Sequence, residues 1–355
     1  DGKGPDRTGC NFCGNCMVGC RFNAKNTLDR NYLYLAEKLG VEILPETEVT
    51  DILQMQNNAY KIKTRISTGI FHSKREFTCN NIVMAAGVLG TVKLLMSCLR
   101  RGSLSKLSNC LGQYVRTNSE AIVGTRTGRE FRKNLNNGVA ISAGYYPEKD
   151  THIEAVRFGK GNGALSFLTT FMVSRQGNAP QVIKWFAALI KQPLKVLKAM
   201  NPIGWASSSI ILLVMQPKSN YLKLKFERRW WRFGKRTINS SLSTAGNIPS
   251  SISAGDDAAK RLAKITDGVP MTTVTDTLFN IPTTAHILGG CIMGKDESSG
   301  VVNSHGEVFN YPGMYITDGS IIPVNLGVNP SLTITAMAEY VMSQIKKKGH
   351  FDSAQ

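Results

Sequence analysis

The chain has 355 residues, 42% hydrophobic and 19% charged, long enough for two domains with a large buried core. Its 43 lysines and arginines against 25 aspartates and glutamates leave a net charge of +18, which favours acidic surfaces such as anionic lipid or nucleic acid. No RNA- or DNA-reading motif accompanies that charge and the aromatics do not alternate with the basic residues, so nucleic acid is set aside and an anionic membrane surface is the expected partner. There is no signal peptide and no apolar run of about eighteen residues, so no spanning helix is expected. An amino-terminal targeting signal is not observable, and the expected location is cytoplasmic or peripheral to a membrane.

In chain order, the first feature is a set of four cysteines, Cys10, Cys13, Cys16 and Cys20. Their spacing, C-x2-C-x2-C-x3-C, is the one with which bacterial ferredoxins hold an iron-sulfur cluster. Arg21 stands where ferredoxins carry proline, and no second cysteine group exists, so the competing reading is a packed loop of reduced thiols with no metal. Cys79, Cys98, Cys110 and Cys291 are scattered and read as core residues, without a secreted disulfide framework. Asn31 to Leu39 has helical spacing, and VEILPETEVTDILQM, Val41 to Met55, alternates as a strand. YKIKTRIS and HSKREFTC then complete an antiparallel meander. IVMAAG, an apolar strand ending in Ala85-Ala86-Gly87, runs into a helix from Val88 to Leu99.

From about Leu111 to Pro282 the pattern changes to longer strands. VAISAGYYP, HIEAVRFG, SIILLVMQP and YLKLKFE predict an antiparallel sheet, and Asp256 to Ile265 a surface helix. Between them, Gln181 to Met200 has helical periodicity that puts Lys184, Lys191, Lys195 and Lys198 on one face. Val182, Phe186, Leu189, Val196 and Met200 gather opposite, and Pro193 should kink the helix. Such a helix either packs on the sheet or lies in a lipid headgroup layer, and RRWWRFGKR, Arg228 to Arg236, favours the second reading.

Near the carboxy terminus, HILGGCIMG, His286 to Gly294, precedes YITDGSIIPVNLGVNPSLTITAMAE, Tyr315 to Glu339. A histidine beside a Gly-Gly bend, then Asp-Gly, then Asn-Pro opening a helix has the order of a flavin site. The glycines would let backbone approach a planar ligand, and the amides of Ser331 to Ile334 would face an electron-rich ring or oxyanion.

These blocks resemble the carboxy-terminal signature of the glucose-methanol-choline (GMC) flavoprotein oxidoreductases, in their cholesterol-oxidase-like branch. The matches are His286, Leu288, Gly289, Gly290, Cys291, Asp318, Gly319, Gly327, Val328, Asn329 and Pro330. Cys10 to Leu33, Asn80 to Leu95, LGQYVRTNSEA and THIEAVRFGKGNG match the same branch. The resemblance implies an α/β (α+β) fold, a partial FAD-binding Rossmann-like domain with an inserted antiparallel-sheet substrate domain. Residues 1–110 would belong to the FAD-binding domain, 111–282 to the substrate domain, and 283–355 to the return carrying the histidine and asparagine. It implies FAD as cofactor, bound by Val49, Ala86, Gly87, Asp318, Gly319, Asn329, Pro330 and Ser331. The implied reaction is oxidation of a sterol-like or other hydrophobic alcohol by hydride transfer to the flavin.

In that reaction His286 would accept the hydroxyl proton and Asn329 would orient the hydroxyl. Glu154 would carry a proton during steroid double-bond isomerisation, unless it is a strand carboxylate facing water. Family members open with a G-x-G-x-x-G turn, which this sequence does not contain, so the chain is expected to be part of a longer protein and to bind flavin poorly alone. The rival readings are an iron-sulfur electron-transfer protein and an inactive membrane-binding fragment.

Overall fold

In the computed structural model, which describes residues 2–69, 72–131, 135–230, 233–234, 236–242 and 248–346, the first stretch carries the cysteine loop and helix α1 (Tyr32–Lys38). A meander follows, β1 (Thr47–Gln54), β2 (Tyr60–Ile66) and β3 (Lys74–Cys79), then β4 (Ile82–Met84) and α2 (Gly87–Arg101). The strand anticipated from Val41 starts only at Thr47. Pro45 offers no N–H to a ladder, and Glu46 takes a positive φ of 53°, which ends any extended run before it. Residues 120–216 supply β5 (Ala121–Arg126), β6 (Ile141–Glu148), β7 (Thr151–Val156) and β8 (Thr169–Phe171). Helices α3 (Gln181–Lys191) and α4 (Pro193–Met200) and strand β9 (Ser209–Met215) complete that stretch. The remainder comprises β10 (Leu222–Arg228), β11 (Arg236–Leu242), α5 (Ser253–Ile265), β12 (Val269–Thr273), α6 (Val274–Phe279), β13 (Met314–Ile316) and α7 (Ser331–Gln344).

These elements gather into two units, one from residues 1–43, 120–216 and 249–284, the other from 44–119, 217–248 and 285–355. Residues 1–43 group with the large sheet and 217–248 with the meander.

The unit holding the large sheet is antiparallel throughout, with strand order β6-β7-β9-β5-β12-β8. Its central β9, SIILLVM, is apolar at almost every position because both faces of an inner strand are covered. β5 escaped the sequence reading because Gly124, Thr125 and Arg126 break its apolar run. Gly124 is required there, since a Cβ would stand 2.5 Å from the Ile210 carbonyl oxygen. α5 rests on this sheet, and Thr125 Oγ1 donates to the Ala259 carbonyl. YLKLKFE, expected in the same sheet, instead pairs as β10 with β11. The polar sequence of β11, RTINSSL, gives no alternation to announce it.

The other unit has a core of Val88, Val92, Leu95, Leu288, Met314 and Ile316 among others. α2 turns Val88, Thr91, Val92, Leu95 and Cys98 inward at helical spacing. It ends at Gly102, whose φ of 79° lets its amide reach the Cys98 and Leu99 carbonyls. β4 and β13 pair in parallel, Ile82 beside Met314 and Met84 beside Ile316.

The basic amphipathic helix is broken rather than kinked. Gln192 leaves the helical region at φ −139°, ψ 52°, and Pro193 restarts the chain as the first residue of α4, where its missing N–H costs nothing.

Candidate active site

The parallel pair sets the geometry. In open α/β sheets ligands bind beyond the carboxyl ends of the parallel strands, where helix amino termini and loops converge. Those ends here are Ala85-Ala86-Gly87 after β4 and Thr317-Asp318-Gly319 after β13, clasped by Thr317 N donating to Met84 O at 2.9 Å. Thr91, one turn into α2, joins the two turns. Its hydroxyl donates to Asp318 Oδ2 at 2.5 Å and accepts from Ala86 N at 3.2 Å. Asp318 Oδ1 takes the Ser320 amide at 2.9 Å, so both carboxylate oxygens are engaged inside the protein and Asp318 shapes the turn.

Beside these turns lies a cleft of about 1030 Å³, with Val49, Met84, Ala86, Gly90, Lys93 and Arg101 among its walls. Ala86 and Gly87 are exposed, and a Cβ at Gly87, whose φ is 71°, would meet nothing within 4 Å. Open backbone at a helix start, an exposed Val49 and cationic side chains fit the nucleotide half of FAD.

His286 is half-buried. Two residues on, Leu288 exchanges both backbone hydrogen bonds with Arg116, at 2.7 and 3.0 Å. Gly289 N donates to Gly319 O and Cys291 N to Ser320 O, lacing the histidine segment to the Asp-Gly turn. Gly319 packs between Leu288 and Ile334 of α7, where a Cβ would lie 3.1 Å from Leu288 Cδ2 and 3.2 Å from Ile334 Cδ1. The Gly-Gly bend does not open toward a ligand as anticipated. A Cβ on Gly289 would strike the Tyr114 carbonyl oxygen at 2.2 Å and one on Gly290 Val92 Cγ2 at 2.9 Å, so these glycines serve internal packing. Burial drives the Cys291 thiol well above the usual cysteine value, which keeps it neutral.

Asn329 is half-buried and Pro330 caps α7, so Ser331, Leu332 and Thr333 begin a helix whose first amides have no intrahelical acceptor. The Ile334 amide, included in the expected set, is not among them, since it donates to Pro330 O at 2.9 Å. His286, Asn329, Asp318 and Gly319 thus share one unit with Val49, Ala86 and Gly87.

Glu154 belongs to the other unit, on β7 between Gly144 of β6 and Leu213 of β9. It is 6% exposed, which overturns the water-facing alternative. Its Oε1 lies 3.7 Å from His152 Nδ1, and the His152 ring stacks on Tyr146 at 4.6 Å.

The cysteine loop holds free thiols, and among the described residues no three His, Cys, Asp or Glu side chains are grouped to hold a metal ion. Cys10 Sγ accepts the Phe12 amide and Cys20 Sγ the Ala24 amide. Backbone hydrogen bonds from Lys25, then Ala24 and Phe22, hold the Cys20 thiol below its usual value.

The helices α3 and α4 depart from the expected faces. Val196 is buried and Leu189 and Met200 are partly so, packed near Val173 and Ala188, whereas Phe186 turns outward with Ile183, Ile190, Leu194 and Leu197. Of the RRWWRFGKR cluster, Trp230 and Phe233 are exposed, while Trp231, Arg232 and Lys235 lie outside the described residues. No helix among the described residues is long and apolar enough to cross a membrane.

Sequence reasoning missed Thr91, Arg116 and Asn118. The only signal was their place inside quoted blocks, Thr91 in NNIVMAAGVLGTVKLL and the other two in LGQYVRTNSEA.

Comparison with known proteins identifies the family. Residues 4–102 and 208–338, together more than half of the chain, match profiles described as GMC oxidoreductase. A cholesterol oxidase from Acinetobacter baumannii is 41% identical over 98% of this chain and 63% of its own length. One from Mycobacterium tuberculosis is 41% identical over 99% of this chain and 61% of its own. The chain therefore spans less than two thirds of these curated relatives. Among solved structures, a formate oxidase variant from Aspergillus oryzae superposes with a TM-score of 0.56 at 14% identity, covering 88% of this chain and 62% of that one, a likeness of fold. With both terminal blocks matched, the chain belongs to the GMC oxidoreductase family, whose members bind FAD.

Proposed function

We propose that this chain carries the alcohol-oxidising residues of an FAD-dependent enzyme acting on a sterol or comparable hydrophobic alcohol. The observation that carries the reading is the joint bracing of the His286 and Asn329 segments, in the unit whose parallel strands end at the Ala-Ala-Gly and Asp-Gly turns. The 41% identity to cholesterol oxidases supports the substrate class.

Bound FAD supplies the two-electron acceptor for the hydride of the carbinol carbon. Val49, Ala86 and Gly87 would hold its nucleotide half, and Pro330 and Ser331 would bring the start of α7 to its ring. A hydride leaves an alcohol carbon readily only while the hydroxyl proton is being taken. His286 accepts that proton on an imidazole nitrogen, and the Asn329 carboxamide, both donor and acceptor, fixes the hydroxyl. Glu154, in a buried site, is suited to carry a proton between ring carbons in a coupled double-bond shift.

The alcohol is drawn from an anionic membrane by the apolar outer face of α3 and α4. Ile190 and Leu194 there are 82% and 80% exposed, and lysines flank the face. The FAD-loaded protein, given cholesterol in anionic vesicles and a series of short alcohols, should oxidise cholesterol to its 3-ketone. Turnover of short polar alcohols with none of cholesterol would reject the substrate class.

A further inference from the structure

We infer that Asn118 is a positioning residue that clamps the Asn329 turn and, with Arg116, sets the spacing of the two residues proposed to handle the substrate hydroxyl. The inference rests on the roles proposed for His286 and Asn329.

Asn118 is fully buried and holds a φ of 57°, a left-handed conformation that asparagine tolerates better than other residues with side chains. Its backbone N–H, its Oδ1 and its Nδ2 all bond to one loop. Its own amide donates to Asn325 Oδ1 at 2.8 Å, its Oδ1 accepts from Gly327 N at 2.7 Å, and its Nδ2 donates to Val328 O at 2.9 Å. The last two bonds grip the peptide groups that flank the Gly327-Val328 pair, the two residues before Asn329. The loop is tied from behind as well, since Asn325 Nδ2 donates to Lys218 O at 2.6 Å and to Asn220 O at 3.2 Å. Asn220 in turn reaches Ser119 Oγ at 2.9 Å. Two residues before Asn118, Arg116 makes its paired backbone bonds with Leu288 of the histidine segment. One short stretch, Arg116 to Asn118, therefore fixes the flank of His286 with backbone and the flank of Asn329 with a side chain.

The chemistry of the clamp selects asparagine. It must accept from an N–H and donate to a carbonyl at the same reach, which a carboxamide does and a carboxylate does not. Aspartate would keep the bond to Gly327 N and set an oxygen against the Val328 carbonyl oxygen. Misplacing a reacting group by about an ångström costs on the order of 10²-fold in rate.

The test uses the FAD-loaded protein and four forms, wild type, Asn118→Asp, Asn329→Ala and the double variant, with flavin reduction followed by rapid mixing. Asn118→Asp should reduce flavin about 10²-fold more slowly than wild type, and the double variant should be no slower than Asn329→Ala alone, because Asn118 acts through Asn329. Losses that multiply in the double variant would overturn the inference and return Asn118 to a general structural role, as would a wild-type rate in Asn118→Asp. An unchanged rate in Asn329→Ala would instead reject the role proposed for Asn329. Hydrogen exchange on the wild-type protein reads the clamp without any variant. The Gly327 amide should be strongly protected, and exchange as fast as that of an exposed loop would show that no clamp exists.

Discussion

Thr91 and Asp318 are 227 positions apart in sequence and meet in a buried hydrogen bond that no local pattern announces. Thr91→Val keeps the shape and removes both the donor to Asp318 and the acceptor for Ala86 N. Urea unfolding should show a loss of about 1–3 kcal/mol, the cost of a buried polar group left without its partner, and an unchanged midpoint would deny that the two turns are held this way. The cysteines give a second residue-scale expectation. Cys20 has its thiol held below the usual value by backbone amides, so its thiolate persists to lower pH, whereas burial raises the Cys79 thiol and restricts its thiolate to higher pH. On acidification, alkylation of Cys20 should therefore fail last, and mass spectrometry after timed labelling should find Cys20 modified before Cys79. The reverse order would contradict the amide arrangement. His286 and Asn329, the residues proposed to handle the hydroxyl, could be picked out in sequence because each sits in a contiguous motif. Asn118 could not, since its partners Gly327 and Val328 lie 209 and 210 positions away.

Among the elements, α2 and α5 followed from periodicity, because each buries one regular face, while β9 followed from its apolar run and the meander from its alternating sequence. β5, β8, β11 and β12 did not, since their register comes from neighbouring strands and two of them carry Gly124 or Pro270 inside the run. For Gln181 to Met200 the helical period was right and the buried face was not, because the break at Gln192 resets the rotation of α4 against α3. That correction sharpens the lipid reading into a prediction. Ile190→Asp with Leu194→Asp alters exposed positions, so thermal unfolding should be nearly unchanged while sedimentation with anionic vesicles falls by tenfold or more, at about 25 cal/mol per Å² of apolar surface withdrawn from lipid. Loss of folding with retained lipid binding would show that this face is core.

For the whole molecule, the net charge of +18 would make the proposed vesicle association dependent on salt. Binding to anionic vesicles should weaken steadily between roughly 0.05 and 0.5 M salt as the Debye length shortens, and indifference to salt would leave only the apolar contribution. The family was legible because its signatures are local blocks spread along the chain. Each unit is assembled from three separated stretches. The central claim, that His286 takes the hydroxyl proton while Asn329 holds the hydroxyl, is tested most directly by rapid mixing of the FAD-loaded protein with a sterol. His286→Ala should slow flavin bleaching by about 10²- to 10⁴-fold with FAD still bound, with Glu154→Gln sparing it, whereas near-normal bleaching in His286→Ala would contradict the account.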